Sequence, residues 1–254
     1  MSRIYEINNQ QYPSVTTILD VLEKVALRQW AVNSACDYIH NSLENKELIA
    51  INDIFGDGVM TTRECIKISG RDAYLIIENA RKEWKNISND AMNIGTEIHD
   101  LIEKYIKHGR DAVGELKPEV ENGFLAFLEW EQENIEEWTE SEKKVYDPAQ
   151  CYAGTLDAVA KLKNGKYYVI DFKSSKGFYD GYDQQIAAYR HAYEIEMKVK
   201  MDGMGVLRLD KETGLPEFKD YSKVYEQKLN AFFHLVDYYY ASKNRRCKNI
   251  RTKK

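Results

Sequence analysis

The sequence predicts an α/β fold: a small mixed central β-sheet flanked by helices, with a helical elaboration at the N-terminal end. Three observations predict it. Apolar residues recur at helical spacing over most of the stretch from Leu19 to Phe127. The period then changes to strand alternation in EKKVYD, YAGTLDAVAKL and KYYVIDFKS, the last two joined by Asn164-Gly165, a strong hairpin signal. A helical segment, DGYDQQIAAYRHAYEIEM, then interrupts the strands before KMDGMGVLRLD and PEFKDY resume them.

The elements follow in order. RIYEI reads as a short strand, and the QYPSVTTIL after it as a turn into a helix capped by Ser14 or a nearby threonine. RDAYLIIENARKEW and NDAMNIGTEIHDLIEKYIKHG read as helices, the second ending on Gly109. A third helix runs from about Pro118, with the proline in its first turn, to about Ile135. Three strands, a helix and two strands come next, and a last helix covers about Lys223 to Lys243. The whole is expected as a single domain: 1–92 a mainly helical elaboration, 93–243 the core, and 244–254 a basic tail.

The bulk numbers exclude several classes. The chain has 254 residues, 43% of them hydrophobic, enough for a packed core. No apolar run is long enough to span a bilayer, so no membrane partner is expected. MSRIYEINNQQY carries no secretory signal, and the expectation is a cytoplasmic protein, in the host cytoplasm if the source is viral. The net charge of −5 argues against a globally basic nucleic-acid binder without excluding local patches. Cys36, Cys65, Cys151 and Cys247 lie far apart with no CxxC spacing, so they read as free buried thiols and not as zinc or iron–sulfur ligands.

The chemistry begins in YVIDFK. Strand side chains alternate faces. Tyr168, Ile170 and Phe172 therefore point one way, and Tyr167, Val169, Asp171 and Lys173 the other. In the hairpin partner Leu156, Ala158, Ala160 and Leu162 share a face, with Thr155, Asp157 and Val159 on the opposite one. Pairing brings Asp157 close to Asp171. Two carboxylates about 4 Å apart repel by roughly 4 kcal/mol at an effective dielectric near 20. A shared proton, a lysine or a divalent cation can offset that repulsion.

Two helices add polar groups. On a helical wheel Ile98, Leu101, Ile102, Tyr105 and Ile106 form an apolar arc, with His99 at its rim and Glu103 just outside. Gly95, one turn earlier, permits a close backbone approach. In GYDQQIAAYRHAYEI the buried arc is Tyr182, Ile186, Tyr189, Ala192 and Tyr193; Gln185 lies inside it and Gln184 toward the polar side. A buried amide without partners costs about 1–3 kcal/mol, so Gln185 needs a specific bond, and Tyr189 is one turn on. Each residue alone has an ordinary structural reading; their order along the chain is what distinguishes them.

That order is Gly95 with His99, Gly154 with Asp157, Asp171 with Lys173, then Gln185 with Tyr189. It resembles the GxxxH, GxxD, (D/E)xK and QxxxY series of the RecB-type branch of the PD-(D/E)XK nuclease superfamily, over about Asn93 to Tyr193. A chain of this size is similar to lambda-type phage exonucleases and to mitochondrial genome-maintenance exonucleases. The resemblance implies a restriction-endonuclease-like core and a Mg²⁺- or Mn²⁺-dependent deoxyribonuclease acting on single- or double-stranded DNA ends. It implies metal ligation by Asp157, Asp171, the backbone carbonyl of Phe172 and His99, with Glu103 as an outer-shell or second-metal partner. Lys173 would position or deprotonate the attacking water, or stabilise charge building on the phosphate. Gln185 and Tyr189 would orient Lys173 or the phosphate.

Asp stands where many relatives carry Glu in the (D/E)xK element, a shorter reach. With only Cys247 near the C-terminus, no iron–sulfur cluster is expected, and no GxxxxGK[ST] loop marks a helicase motor. Arg28, Lys176 and Arg190 are candidate phosphate contacts, and a recombinase or single-strand-annealing protein is the candidate protein partner. The alternatives are a structure-specific or flap endonuclease with the same site, and a non-catalytic DNA-binding scaffold.

Overall fold

The computed structural model describes residues 3–22, 25–44, 46, 48–54 and 60–243, without the side chains of 25–27, 48–54 and 60–65. The basic tail 244–254, with Cys247, lies outside the described residues. The chain forms two compact units, Met1–Glu23 with Ile94–Lys254, and Lys24–Asn93. The first 23 residues thus belong with the second half of the chain.

The larger unit is a mixed α/β assembly. It opens with a hairpin, β1 (Ile4–Ile7) and β2 (Gln10–Pro13), and a short helix α1 (Val15–Leu19). Ser14 caps α1, its hydroxyl accepting from the Thr17 N–H at 3.0 Å. The smaller unit holds α2 (Val25–Leu43), then β3 (Leu48–Ile54) and β4 (Met60–Ile66) paired antiparallel. This second hairpin adds two strands to the mainly helical stretch expected over 1–92. LIAINDI and MTTRECI carry the β-branched residues that favour strands, and helical periodicity on either side obscures them.

Helix α3 (Gly70–His108) runs unbroken for 39 residues, where the sequence suggested two segments. No proline or αL residue interrupts it until Gly109, whose φ is +81°. Helix α4 (Pro118–Asn134) leads directly into β5 (Ile135–Asp147), followed by β6 (Tyr152–Leu162) and β7 (Tyr167–Lys173). Helix α5 (Tyr182–Met197) crosses over to β8 (Gly203–Leu209); β9 (Pro216–Asp220) and α6 (Tyr225–Ser242) close the chain.

The five strands form one sheet in the order β5-β6-β7-β8-β9. Only β7 and β8 are parallel, as the α5 crossover requires. Both faces are buried. On one, Val159, Val169, Met204 and Val206 pack with α1, α5 and α6 through Ile18, Ile186, Ala188, Phe232 and Val236. On the other, Ala158, Ala160, Ile170, Phe172 and Leu207 pack with Ile98 and Ile102 of α3 and Phe124, Phe127 and Trp130 of α4. A strand buried on both faces has no solvent side on which to place an acid, which makes Asp171 in the central strand β7 an exception to explain.

Two further expectations change. Cys36 is a free thiol but exposed, and Cys151 is disulfide-bonded to a partner outside the described side chains. Among the described residues no helix is long and apolar enough to cross a membrane.

Candidate metal centre at the end of the central strands

The site forms where the β6–β7 ladder stops. Its last pair on this side is Ala158 with Ile170, and the same register would next set Asp157 against Asp171. The Asp157 carboxylate replaces the missing rung: its Oδ2 accepts from the Phe172 N–H at 2.7 Å. In an extended strand the N–H and C=O of one residue project toward the same edge, so the Phe172 carbonyl also faces the β6 side.

Asp171 is fully buried on the α5 face. The Lys173 ammonium lies 2.6 Å from its Oδ2, and Gln185 Nε2 donates to its Oδ1 at 3.2 Å and to the Tyr189 hydroxyl at 3.3 Å. Oδ2 receives no hydrogen bond of good geometry; it faces Lys173 as an ion pair alone. Burial pushes the Asp171 carboxyl upward and the Asp157 charge adds to this, with Lys173 opposing. Burial would lower the Lys173 amine, but the Asp171 and Asp157 charges raise it on balance, so it stands as an ammonium. That ammonium also sits 5.1 Å from the centre of the Tyr182 ring.

Two close approaches position these groups. A Cβ at Gly154 would stand 2.4 Å from the Tyr189 ring, so only glycine lets that ring lie across β6. A Cβ at Gly95 would stand 2.9 Å from Ser174 Oγ, just beyond the end of β7. Gly95 brings α3 close to the strand end and carries His99 with it. His99 is about a quarter exposed; its Nδ1 lies 3.7 Å from Asp157 Oδ2, and its ring packs edge-on against Phe172.

The structure adds a residue that the sequence reading missed. Glu142 of β5 faces Asp157, since Lys143 pairs with Leu156 and Ser141 with Ala158 on either side. His99, Glu142 and Asp157 each offer a ligand atom within 4.8 Å of the others. Glu142 has φ +51°, a left-handed conformation uncommon outside glycine and asparagine. Burial and the Asp157 charge push its carboxyl up to about 7. In the sequence, Glu142 sits in the polar run ESEKK, where one acid among several charged residues carries no distinguishing signal.

The other expected residues stand as follows. Glu103 forms an ion pair with Lys107 at 2.5 Å. Lys176 is exposed and pairs with Glu212 at 3.1 Å, and Arg28 is an exposed residue of the smaller unit. Arg190 needs correction as a phosphate contact. It is buried, paired with Glu194 at 2.9 Å, donating to the Met201 carbonyl, and stacked 4.1 Å from the Tyr225 ring centre. It ties α5 to the segment before β8. Gln184, expected on the polar side, has its amide oxygen buried without a hydrogen bond.

Chemically, the centre holds three carboxylates, an imidazole and an ammonium at the end of a buried strand. Oxygen-rich sets of this kind suit hard divalent cations. Comparison of the chain with known protein families and with curated proteins found no match.

Proposed function

We propose that the chain is a divalent-metal-dependent deoxyribonuclease, an exonuclease working from DNA ends. The observation that carries the reading is the junction of Asp157, Asp171 and His99 with an ammonium, Lys173, 2.6 Å from the most buried of the acids. The order of these residues along the chain, with Gln185 and Tyr189 after them, resembles the RecB-type nuclease series. That resemblance favours DNA as substrate and ends as the point of attack.

The residues fit Mg²⁺ or Mn²⁺. Asp171 is fully buried, and its Oδ2 is met by the Lys173 ammonium alone, while the Asp157 charge stands close by, a crowding of acids that a cation relieves. Asp157, Asp171, His99 and the Phe172 carbonyl would hold the ion. When bound, it neutralises phosphate charge and makes water acidic enough to attack at neutral pH.

The chain's own groups divide the rest of the work. Lys173, held as an ammonium by its acidic neighbours, adds positive charge where negative charge develops on the phosphate. This favours charge stabilisation over proton abstraction among its three expected roles. Gln185 fixes the Asp171 carboxylate through Oδ1, and Tyr189 fixes Gln185. Phe172 and the α3–α4 core beneath it keep the strand end rigid.

The test is cleavage of end-labelled single- and double-stranded DNA with Mg²⁺ or Mn²⁺, beside closed circular DNA. Wild type should shorten linear DNA progressively and leave circles intact. Asp171→Ala and Lys173→Ala should each lose about 10³-fold in rate. Cut circles would replace the exonuclease by an endonuclease; metal-independent binding without cleavage would replace it by a scaffold.

A further inference from the structure

We propose that Glu142 is a direct metal ligand and that, with His99 and Asp157, it makes the centre select Mn²⁺ over Mg²⁺. The inference rests on the metal-dependent reading above and extends it to a residue outside the motif series.

Three features point to this role. First, Glu142 stands opposite Asp157 on the neighbouring strand, and the three side chains place one ligand atom each within 4.8 Å of one another. Second, its carboxylate has no hydrogen bond or ion pair among the described residues. The adjacent Lys143 pairs with Glu140, and the nearby Glu103 is taken by Lys107. Third, Asp171, with its side chain 1% exposed and paired with Lys173 at 2.6 Å, sets a further buried acid close enough to Asp157 and His99 for their charges to interact. Once ionised, Glu142, Asp157 and Asp171 outnumber the one ammonium, Lys173, and a divalent cation balances the excess.

The backbone agrees. A glutamate at φ +51° within a strand is a conformation that glycine would adopt at lower cost. Such strain persists where the surroundings hold a side chain in a set place. The choice of metal follows from the donors. Mn²⁺ shares the carboxylate preference of Mg²⁺ but, as a transition ion, tolerates a nitrogen ligand better, whereas Mg²⁺ demands near-ideal oxygen geometry and keeps its water.

The test is binding of Mn²⁺ and of Mg²⁺, each alone, to the full chain by calorimetry, with free Mn²⁺ counted by electron paramagnetic resonance. Wild type should bind Mn²⁺ at least about 10-fold more tightly than Mg²⁺. Glu142→Gln should weaken Mn²⁺ by about 10- to 100-fold. Glu142→Gly relaxes the backbone, so in EDTA it should melt no lower than wild type while losing Mn²⁺ affinity to the same extent. His99→Asn should narrow the gap between the two metals.

Wild-type Mn²⁺ affinity in both Glu142 variants would overturn the ligand assignment, and DNA cleavage by the same samples would leave the nuclease reading standing. Equal affinity of wild type for the two metals would overturn the selectivity. Mn²⁺ binding lost in the Glu142 variants, from a wild type that cuts no DNA, would support the ligand and remove the nuclease.

Discussion

Strands β5 and β6 and their helices carry two carboxylate–histidine pairs, and the two differ in how their charge is met. At the end of β5, Asp147 is buried, and its Oδ1 accepts from the Ala149 and Gln150 N–H groups at 2.7 and 3.1 Å. Its Oδ2 lies 3.2 Å from His191 Nε2 of α5. Burial would raise this carboxyl, but His191 and the two N–H groups hold it below the usual range. At the other place, Asp157 meets His99 at 3.7 Å, beside Glu142 and Asp171, with one ammonium for three acids. Both pairs use the same two residue types. A carboxylate matched by donors joins two elements; a carboxylate in surplus needs something the chain does not supply.

The sharpest way to break this contrast is to remove charge at each end. Asp171→Asn should reduce DNA cleavage by about 10³-fold and lower the melting temperature in EDTA by less than Asp147→Ala does, since it weakens the Lys173 pair but relieves repulsion from Asp157. Asp147→Ala should act on stability instead. It leaves two N–H groups and an imidazole without their acceptor, and should cost about 3 kcal/mol in urea denaturation. Its cleavage rate per folded molecule should match wild type. Unfolding of Asp171→Asn beside an undisturbed Asp147→Ala would invert the comparison.

A smaller effect sharpens it. Gly154→Ala pushes a methyl into the Tyr189 ring, which must shift and take Gln185 with it. Cleavage should fall about 10-fold through misplacement alone, with little change in Mn²⁺ affinity. A wild-type rate would show that the Tyr189–Gln185 bond does not position Asp171.

The smallest effect is the pH dependence, and the two ends should show opposite signs. Asp147 has a depressed folded pKa, so its stabilisation is complete above the ordinary carboxylate range and is lost as pH falls through the folded value. Glu142 has a folded pKa raised from 4.5 to about 7. The unfolded chain therefore releases this proton first, and stability falls as pH climbs between those values. Melting in EDTA should show both arms. Asp147→Asn should flatten the acid arm, Glu142→Gln the neutral one, and Mn²⁺ should protect most above pH 7. A melting temperature constant from pH 4.5 to 7 would count against the charge surplus.

The sheet was legible because its signals are local. Alternation in β6 and β7 and the Asn164-Gly165 turn suffice to pair the strands, and that register, carried one rung past the last pair, sets Asp157 toward Asp171. Gln185 was legible as a polar residue in an apolar arc that needed a partner, and Asp171 and Tyr189 are its partners. Glu142 was not, because its place depends on cross-strand register and on a left-handed residue that no local pattern announces. Arg190 could have been found. It lies four residues after Ile186 and three before Tyr193, on the buried arc, yet its charge suggested the surface. The β3–β4 hairpin escaped because its β-branched runs lie between two long helices.

The Asp157 oxygen that takes the Phe172 N–H makes this aspartate a stitch in the sheet as well as a member of the acidic group. An alanine there would let the seam between two central strands part, and a dead protein would then say little about chemistry. Asparagine keeps an amide oxygen for the same N–H while discarding the negative charge. Knockouts of this residue should therefore be designed around the backbone first, since the same atom answers to both architecture and charge.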